Sequence, residues 1–173
     1  YKKQLIFAGR LSKEKGILDL LKFVEIVSKD IDIIIIGSGP EESKVKEVTE
    51  LFPNVHFLGY QSKQNTIKLI RGSDMIIQPS IMEGGTSSTI LEAMACKTPI
   101  IATSVDGNKD TIIHMKTGYV VASNNPPEIH DAVNYLFNNP EKLEIIINNA
   151  YDLVSNYDWE HVGQKYLDVY NSV

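Results

Sequence analysis

Short apolar runs alternate with segments of helical period along almost the whole chain. QLIFAG (4–9) reads as a buried strand, and after the turn RLSKEKG the residues Ile17, Leu20, Leu21, Val24 and Val27 recur on one helical stripe. IDIIIIGSGP (31–40) begins with a strand so apolar that both its faces must be covered. Pro40 then opens a helix, with Glu41 and Glu42 favourable in its first turn. VHFLGY (55–60) is a third strand, and Ser62 caps a helix running to about Gly72. DMIIQPS (74–80) is a fourth strand, ended by Pro79, after which GGTSS (84–88) leads into the helix TILEAMACK (89–97). PIIATS (99–104) and GYVVA (118–122) are the fifth and sixth strands. Helices are expected at roughly 127–138, 140–154 and 158–171, the last with Trp159, Val162, Tyr166, Leu167 and Tyr170 at helical spacing.

Strands alternating with helices predict an α/β fold: a Rossmann-like parallel sheet of about six strands with helices on both faces. Ligands bind such sheets at the carboxyl ends of strands. The turns after Ala8, Ile36, Leu58, Gln78 and Ala102 are therefore where chemistry is sought.

Composition narrows the picture. At 173 residues the chain builds one sizeable core, hence a single domain over 1–173. It begins with Tyr1 and not Met, as a piece of a longer protein would. No apolar run is long enough to span a bilayer, and no signal-peptide pattern is read. The single cysteine, Cys96, excludes an internal disulfide and suits a reducing, cytoplasmic setting. A net charge of −5 argues against a nucleic-acid partner, though a small anion needs only a few local cations and amides.

Those groups stand at the strand ends. Gly9 to Gly16 (GRLSKEKG) places two glycines with Arg10, Lys13 and Lys15 at a strand-to-helix turn, a plausible phosphate-facing edge or a solvated turn. Gly37-Ser38-Gly39-Pro40 resembles half of a dinucleotide fingerprint, but Glu42 stands where its third glycine belongs, which argues against a nicotinamide cofactor. The glycines there still let a ligand approach the backbone. Gly84, Gly85, Thr86, Ser87 and Ser88 offer amides and hydroxyls where a helix begins, which is anion-binding chemistry. Glu92 lies one turn into that helix, close to the face of Ser88, so it reaches toward whatever the loop binds. A carboxylate there suits two sugar hydroxyls; alternatively it is an acid favoured near a helix start.

Together these residues carry a resemblance. P-S-x-x-E-G…L-E-A-M-A-x-x-x-P-I-I-A (79–102) resembles the signature of retaining glycosyltransferases of family 4, which have the two-domain GT-B fold. FAGRLSKEKG (7–16), IIGSGP (35–40), VHFLGY (55–60), SDMIIQPS (73–80) and Tyr157-Asp158-Trp159 resemble further family motifs in the correct order, along nearly the whole chain. The resemblance implies that Arg10 and Lys15 bind a donor's diphosphate, that Glu92 holds ribose hydroxyls and that Glu83 lies near the donor sugar. Gly9, Gly37, Gly39 and the loop from Gly84 to Ser88 would border the donor, with Phe57, Leu58 and Tyr60 beside the base. It implies a nucleoside diphosphate sugar as donor, no metal, and an acceptor site on an N-terminal domain absent from this chain. Any membrane contact would then lie in that absent part, and the chain alone would bind nucleotide weakly and transfer little.

One departure stands out. Eight residues separate Glu83 from Glu92 where the family usually has seven, and the usual loop aromatic is missing. Aligned from the helix side, Gly84 falls at the first glutamate's position; a one-residue bulge would restore Glu83.

Other candidates are weaker. Asp30-Ile31-Asp32 matches a metal-binding D-x-D, but enters the second strand at its amino end, away from the ligand edge. His56, His114, His130 and His161 show no metal-ligand spacing, and Cys96 reads as a packing residue on an apolar helix. The rival readings are a non-catalytic nucleotide-sugar-binding or scaffold domain of the same fold, and a signalling receiver. A receiver needs an acidic pair after the first strand, where this chain has Arg10.

Overall fold

The computed structural model describes residues 2–109 and 111–157, together with Gly163, Leu167, Asp168 and Tyr170. The expected helix over 158–171, with Trp159, Val162 and Tyr166, lies outside the described residues, apart from four isolated positions. The strands are β1 (Lys3–Ala8), β2 (Ile31–Ile36), β3 (Val55–Phe57), β4 (Met75–Gln78), β5 (Ile100–Thr103) and β6 (Tyr119–Val121). Between and after them run α1 (Ile17–Ile26), α2 (Glu42–Leu51), α3 (Lys63–Gly72), α4 (Ser88–Ala95), α5 (Pro126–Asn138) and α6 (Pro140–Val154).

All strand pairs are parallel, and the sheet order is β3-β2-β1-β4-β5-β6. This is the Rossmann-like α/β architecture that the alternation predicted. The period of two along each strand divides the core. Leu5 and Phe7 of β1 with Ile33 and Ile35 of β2 pack under α1 and α5. Ile6, Ala8, Ile34 and Ile36 point the other way, against Ile70 of α3 and Ile90, Ala93 and Met94 of α4. The isoleucine run of β2 (33–36) is thus explained: each face carries its own helical layer. On α1 the predicted stripe is buried throughout, and Phe23 joins it at 0% exposure.

Boundaries differ where a turn wins over local propensity. The Ser62 side chain caps α3 as expected, accepting from Asn65 N at 3.3 Å. Pro40, however, stands before α2 and not at its start. Glu41 N donates to Leu11 O at 3.0 Å, so the Gly39–Glu41 turn is held by its neighbour and the helix starts at Glu42. Cys96 is the C-cap of α4, half-buried, not a residue within the helix.

The amino edge of the sheet accounts for Asp32. Its Oδ1 lies 2.6 Å from Lys2 Nζ and 3.1 Å from His56 Nε2. Among the described residues no three His, Cys, Asp or Glu side chains converge as a metal-holding group, and no helix is long and apolar enough to cross a membrane.

Two outcomes follow from this packing. Phe23→Ala, which empties a fully buried site, should cost about 3–5 kcal/mol in urea denaturation, whereas Leu51→Ala at an exposed position should stay within about 0.5 kcal/mol. Asp32 is held below its ordinary value of 3.8, chiefly by the Lys2 hydrogen bond and then by His56. The unfolded chain therefore binds the proton more readily, so stability lent by this group is full above 3.8 and drains as pH falls through the lowered value. Asp32→Asn should flatten that acid limb of a pH-dependent melting profile.

Candidate functional site

The sheet order reverses direction between β1 and β4, and at their carboxyl ends two turns meet. The turn after β1 ends at Gly16, which has φ 70°, a left-handed conformation. A side chain at Gly16 would overlap the Pro79 carbonyl oxygen, so only glycine lets the turn after β4 lie against it. Glu14 O then accepts from Ile81 N at 2.8 Å and Met82 N at 3.2 Å, zipping the turns together. On the other flank Gly37 has φ 135°, and a Cβ there would overlap Gly9 O; one at Gly39 would overlap Leu11 O. These two glycines were expected to admit a ligand. They also admit the neighbouring turn, which Leu11 N secures by donating to Ser38 O at 2.9 Å.

The zipped turns floor a trough of two adjoining cavities, its halves, each about 460 Å³. One half is lined by Gly37, Ser38, Gly39, Tyr60, Gln61 and Thr66. The other is lined by Lys15, Gln78, Glu83, Gly85, Thr86, Ser87 and Ser88. Ala8, Gly9, Arg10 and Thr89 belong to both and mark the junction.

Charge is concentrated in the second half. Lys15 Nζ lies 2.7 Å from Oε1 and 2.6 Å from Oε2 of Glu83, gripping the carboxylate by both oxygens. Ser80 Oγ donates to the same Oε1 at 2.7 Å, and the Glu83 side chain is only 7% exposed. Arg10 forms no ion pair among the described residues, so its guanidinium is open to an anion at the junction. Above it α4 starts without a side-chain cap: Ser87 makes no capping hydrogen bond, so first-turn amides face the cavity with the positive end of the helix dipole. The loop is buttressed from behind, since Gly107 packs so tightly that a Cβ would meet Gly85 O and come within 2.8 Å of Glu83 Cβ. Two cations, free amides and a carboxylate in one recess can hold a diphosphate and address a neutral group beside it.

Arg10, Lys15, Glu83, Gly9, Gly37, Gly39, Tyr60, Gly85, Thr86, Ser87 and Ser88 all stand at the trough. Of the two candidates for the first glutamate's position, Glu83 faces Lys15, while Gly84 is exposed with open space around it. Phe57 and Leu58 stand outside the lining. Phe57 is half-buried against the core under α1, and Leu58 is 45% exposed outside the lining. With only three residues in β3, the alternation sends Phe57 inward and leaves Tyr60 alone at the rim. Glu92 lies beyond the lining, its carboxylate 3.4 Å from Lys63 Nζ at the start of α3. Sequence reasoning missed Thr89, Gln61, Thr66 and Gln78. Only Gln78 carried a signal, as a lone amide in an apolar strand; its Nε2 donates to Ala8 O at 3.0 Å and ties the ends of β4 and β1.

Comparison with known proteins gives the family and the fold. The family profile described as glycosyl transferases group 1 matches residues 1–153. An uncharacterised glycosyltransferase of Methanocaldococcus jannaschii is 28% identical over 96% of this chain and 44% of its own length. The chain thus spans about half the length of such relatives. The C-terminal domain of the group 1 glycosyl transferase LpcC from Francisella tularensis superposes with a TM-score of 0.76 at 27% identity, covering 90% of this chain and 85% of that one. HepE from Anabaena, solved with UDP-glucose, shares the fold with a TM-score of 0.87 at 20% identity, over 98% of this chain and 49% of its own.

Gly16→Ala should cost about 2–4 kcal/mol by thermal or urea melting, since it adds left-handed strain to a backbone overlap. Gly84→Ala, in open space, should leave the melting point unchanged.

Proposed function

Because the chain belongs to the glycosyl transferases group 1 family, we propose that it is the donor-binding domain of a retaining, family 4 enzyme that moves a sugar from a nucleoside diphosphate to an acceptor hydroxyl. The observation that carries this reading is the pair of adjoining cavities that meet at Arg10, one rimmed by Tyr60 and the other holding Lys15, Glu83 and an uncapped helix start. The Tyr60 half suits a base and ribose. The cationic half suits the diphosphate, with the sugar beside Glu83.

The chemistry follows from charge. As the glycosidic bond breaks, negative charge grows on the departing diphosphate while the sugar becomes oxocarbenium-like. Arg10, Lys15 and the α4 amides are already in place to stabilise that charge, so little reorganisation is needed at the moment of reaction. In this reading those groups take the part that a resident metal plays in other transferases. Glu92, once a ligand draws it from the exposed Lys63, takes the ribose hydroxyls. Retention and the two glutamate roles rest on the sequence resemblance. The acceptor site, and any membrane contact, belong to the half of such enzymes that this chain does not span. A cytoplasmic setting fits the lone Cys96.

Calorimetric titration with UDP-, GDP- and ADP-glucose tests the reading and identifies the base. UDP-glucose is the first probe, given its presence in HepE. Arg10→Ala and Lys15→Ala should each weaken the preferred donor about tenfold, as loss of a charge-assisted phosphate contact does. In the longer protein, Lys15→Ala and Glu92→Ala should abolish transfer; undiminished transfer would favour a scaffold role for this domain. Glu83→Gln should act in the opposite direction on the bare nucleoside diphosphate. It frees Lys15 from its internal partner and should tighten that ligand about two- to fivefold, the scale of a part-exposed ion pair.

A further inference from the structure

The proposed chemistry leaves unused a hydroxyl that sits behind the trough and reaches it through Glu83. Ser80 is buried at 0% exposure just beyond the end of β4, and its hydroxyl donates to Glu83 Oε1 at 2.7 Å. Its own carbonyl accepts from the hydroxyl of Thr103 at the end of β5, itself 2% exposed. Glu83 therefore has two unequal partners. Lys15 is a flexible arm whose side chain is 30% exposed toward the trough, whereas Ser80 is fixed by its neighbours.

A diphosphate entering the cationic half competes directly for Lys15, and with more charge than one carboxylate it wins. Glu83 then loses its cation. Held by nothing else, a carboxylate stripped of its partner would turn toward water. The Ser80 hydroxyl stays on Oε1 and leaves Oε2 available inside the trough. We propose that Ser80 is the positioning residue that keeps Glu83 at the sugar once the diphosphate has taken Lys15, with Thr103 fixing the Ser80 backbone. This rests on reading the trough as a nucleoside diphosphate sugar site. Ser80 touches neither the diphosphate nor the sugar; it acts through Glu83.

The test compares ligands with and without the sugar. UDP, GDP and ADP, and their glucose conjugates, are titrated by calorimetry against the wild-type chain and against Ser80→Ala, Ser80→Thr and Thr103→Val, with melting points taken in parallel. Ser80→Ala should weaken the preferred nucleoside diphosphate glucose about tenfold, the scale of a hydrogen bond to a charged group, and shift the bare diphosphate less than twofold. Ser80→Thr, which keeps the hydroxyl, should restore sugar-conjugate binding, and Thr103→Val should reproduce the selective loss in milder form. In a Glu83→Gln background, Ser80→Ala should have no further effect on the ratio of the two affinities. Equal weakening of diphosphate and conjugate, or an undiminished Ser80→Ala effect in the Glu83→Gln background, overturns the positioning role and leaves the nucleotide-sugar reading intact. Failure of the wild-type chain to bind any of the six ligands removes that reading and the Ser80 role with it. Should Ser80→Ala fail to fold, Thr103→Val decides on the same ratio.

Discussion

Backbone lying directly on backbone at Gly16 is the constraint from which the rest of the strand-end architecture follows. With no side chain there, the Pro79 carbonyl closes on the turn after β1, and Glu14 binds Ile81 and Met82. That contact places Lys15 opposite Glu83 and directs the start of α4 over Arg10. Gly37 and Gly39 repeat the device on the other flank, against Gly9 and Leu11. Three turns from three separate strands thus become one surface through glycines that no other residue replaces without moving main chain. A recess built this way owes its shape to the polypeptide itself, and side chains such as Arg10 and Lys15 are mounted on a floor that does not depend on them.

On that floor the electrostatics are unequal by design of the pairing. Lys15 is neutralised internally by Glu83, while Arg10 forms no ion pair among the described residues. The carboxylate avoids the cost of burial because three donated hydrogen bonds converge on it, two from Lys15 and one from Ser80. On the proposed reading, an anion would meet Arg10 and the helix amides first and then contest Lys15. The same residues would then serve two arrangements, the internally paired one seen here and one turned outward.

The sheet and most of its helices were legible because β-branched runs leave little choice: β2 has isoleucine on both faces and so demands two helical layers. The chemistry-bearing turns were legible from topology, since the carboxyl ends of strands are where such sheets bind. Glu83 was harder. Counting along EGGTSSTILE places Gly84 at the expected position, and only the path of the loop over Gly107 shows which residue turns inward. The sequence could not tell which way Phe57 and Leu58 face, because β3 is three residues long and one step along a strand exchanges its faces. Ser80 stood in the quoted P-S-x-x-E-G motif without a role of its own, and Thr89 and Thr66 gave no signal, because hydroxyls near a Pro or within a helix are ordinary until a partner across the fold is known. Lys63 beside Glu92 is likewise a meeting of two helices that no local pattern records.

The uncapped start of α4 has a consequence for how the empty and filled states differ. At eight residues this helix is too short to persist on its own, and the usual side-chain lid over its opening amides is absent. An anion resting there would supply the missing terminus. The ligand would then be a component of the secondary structure as well as its cargo, so occupancy of the recess and completeness of the helix would rise and fall together.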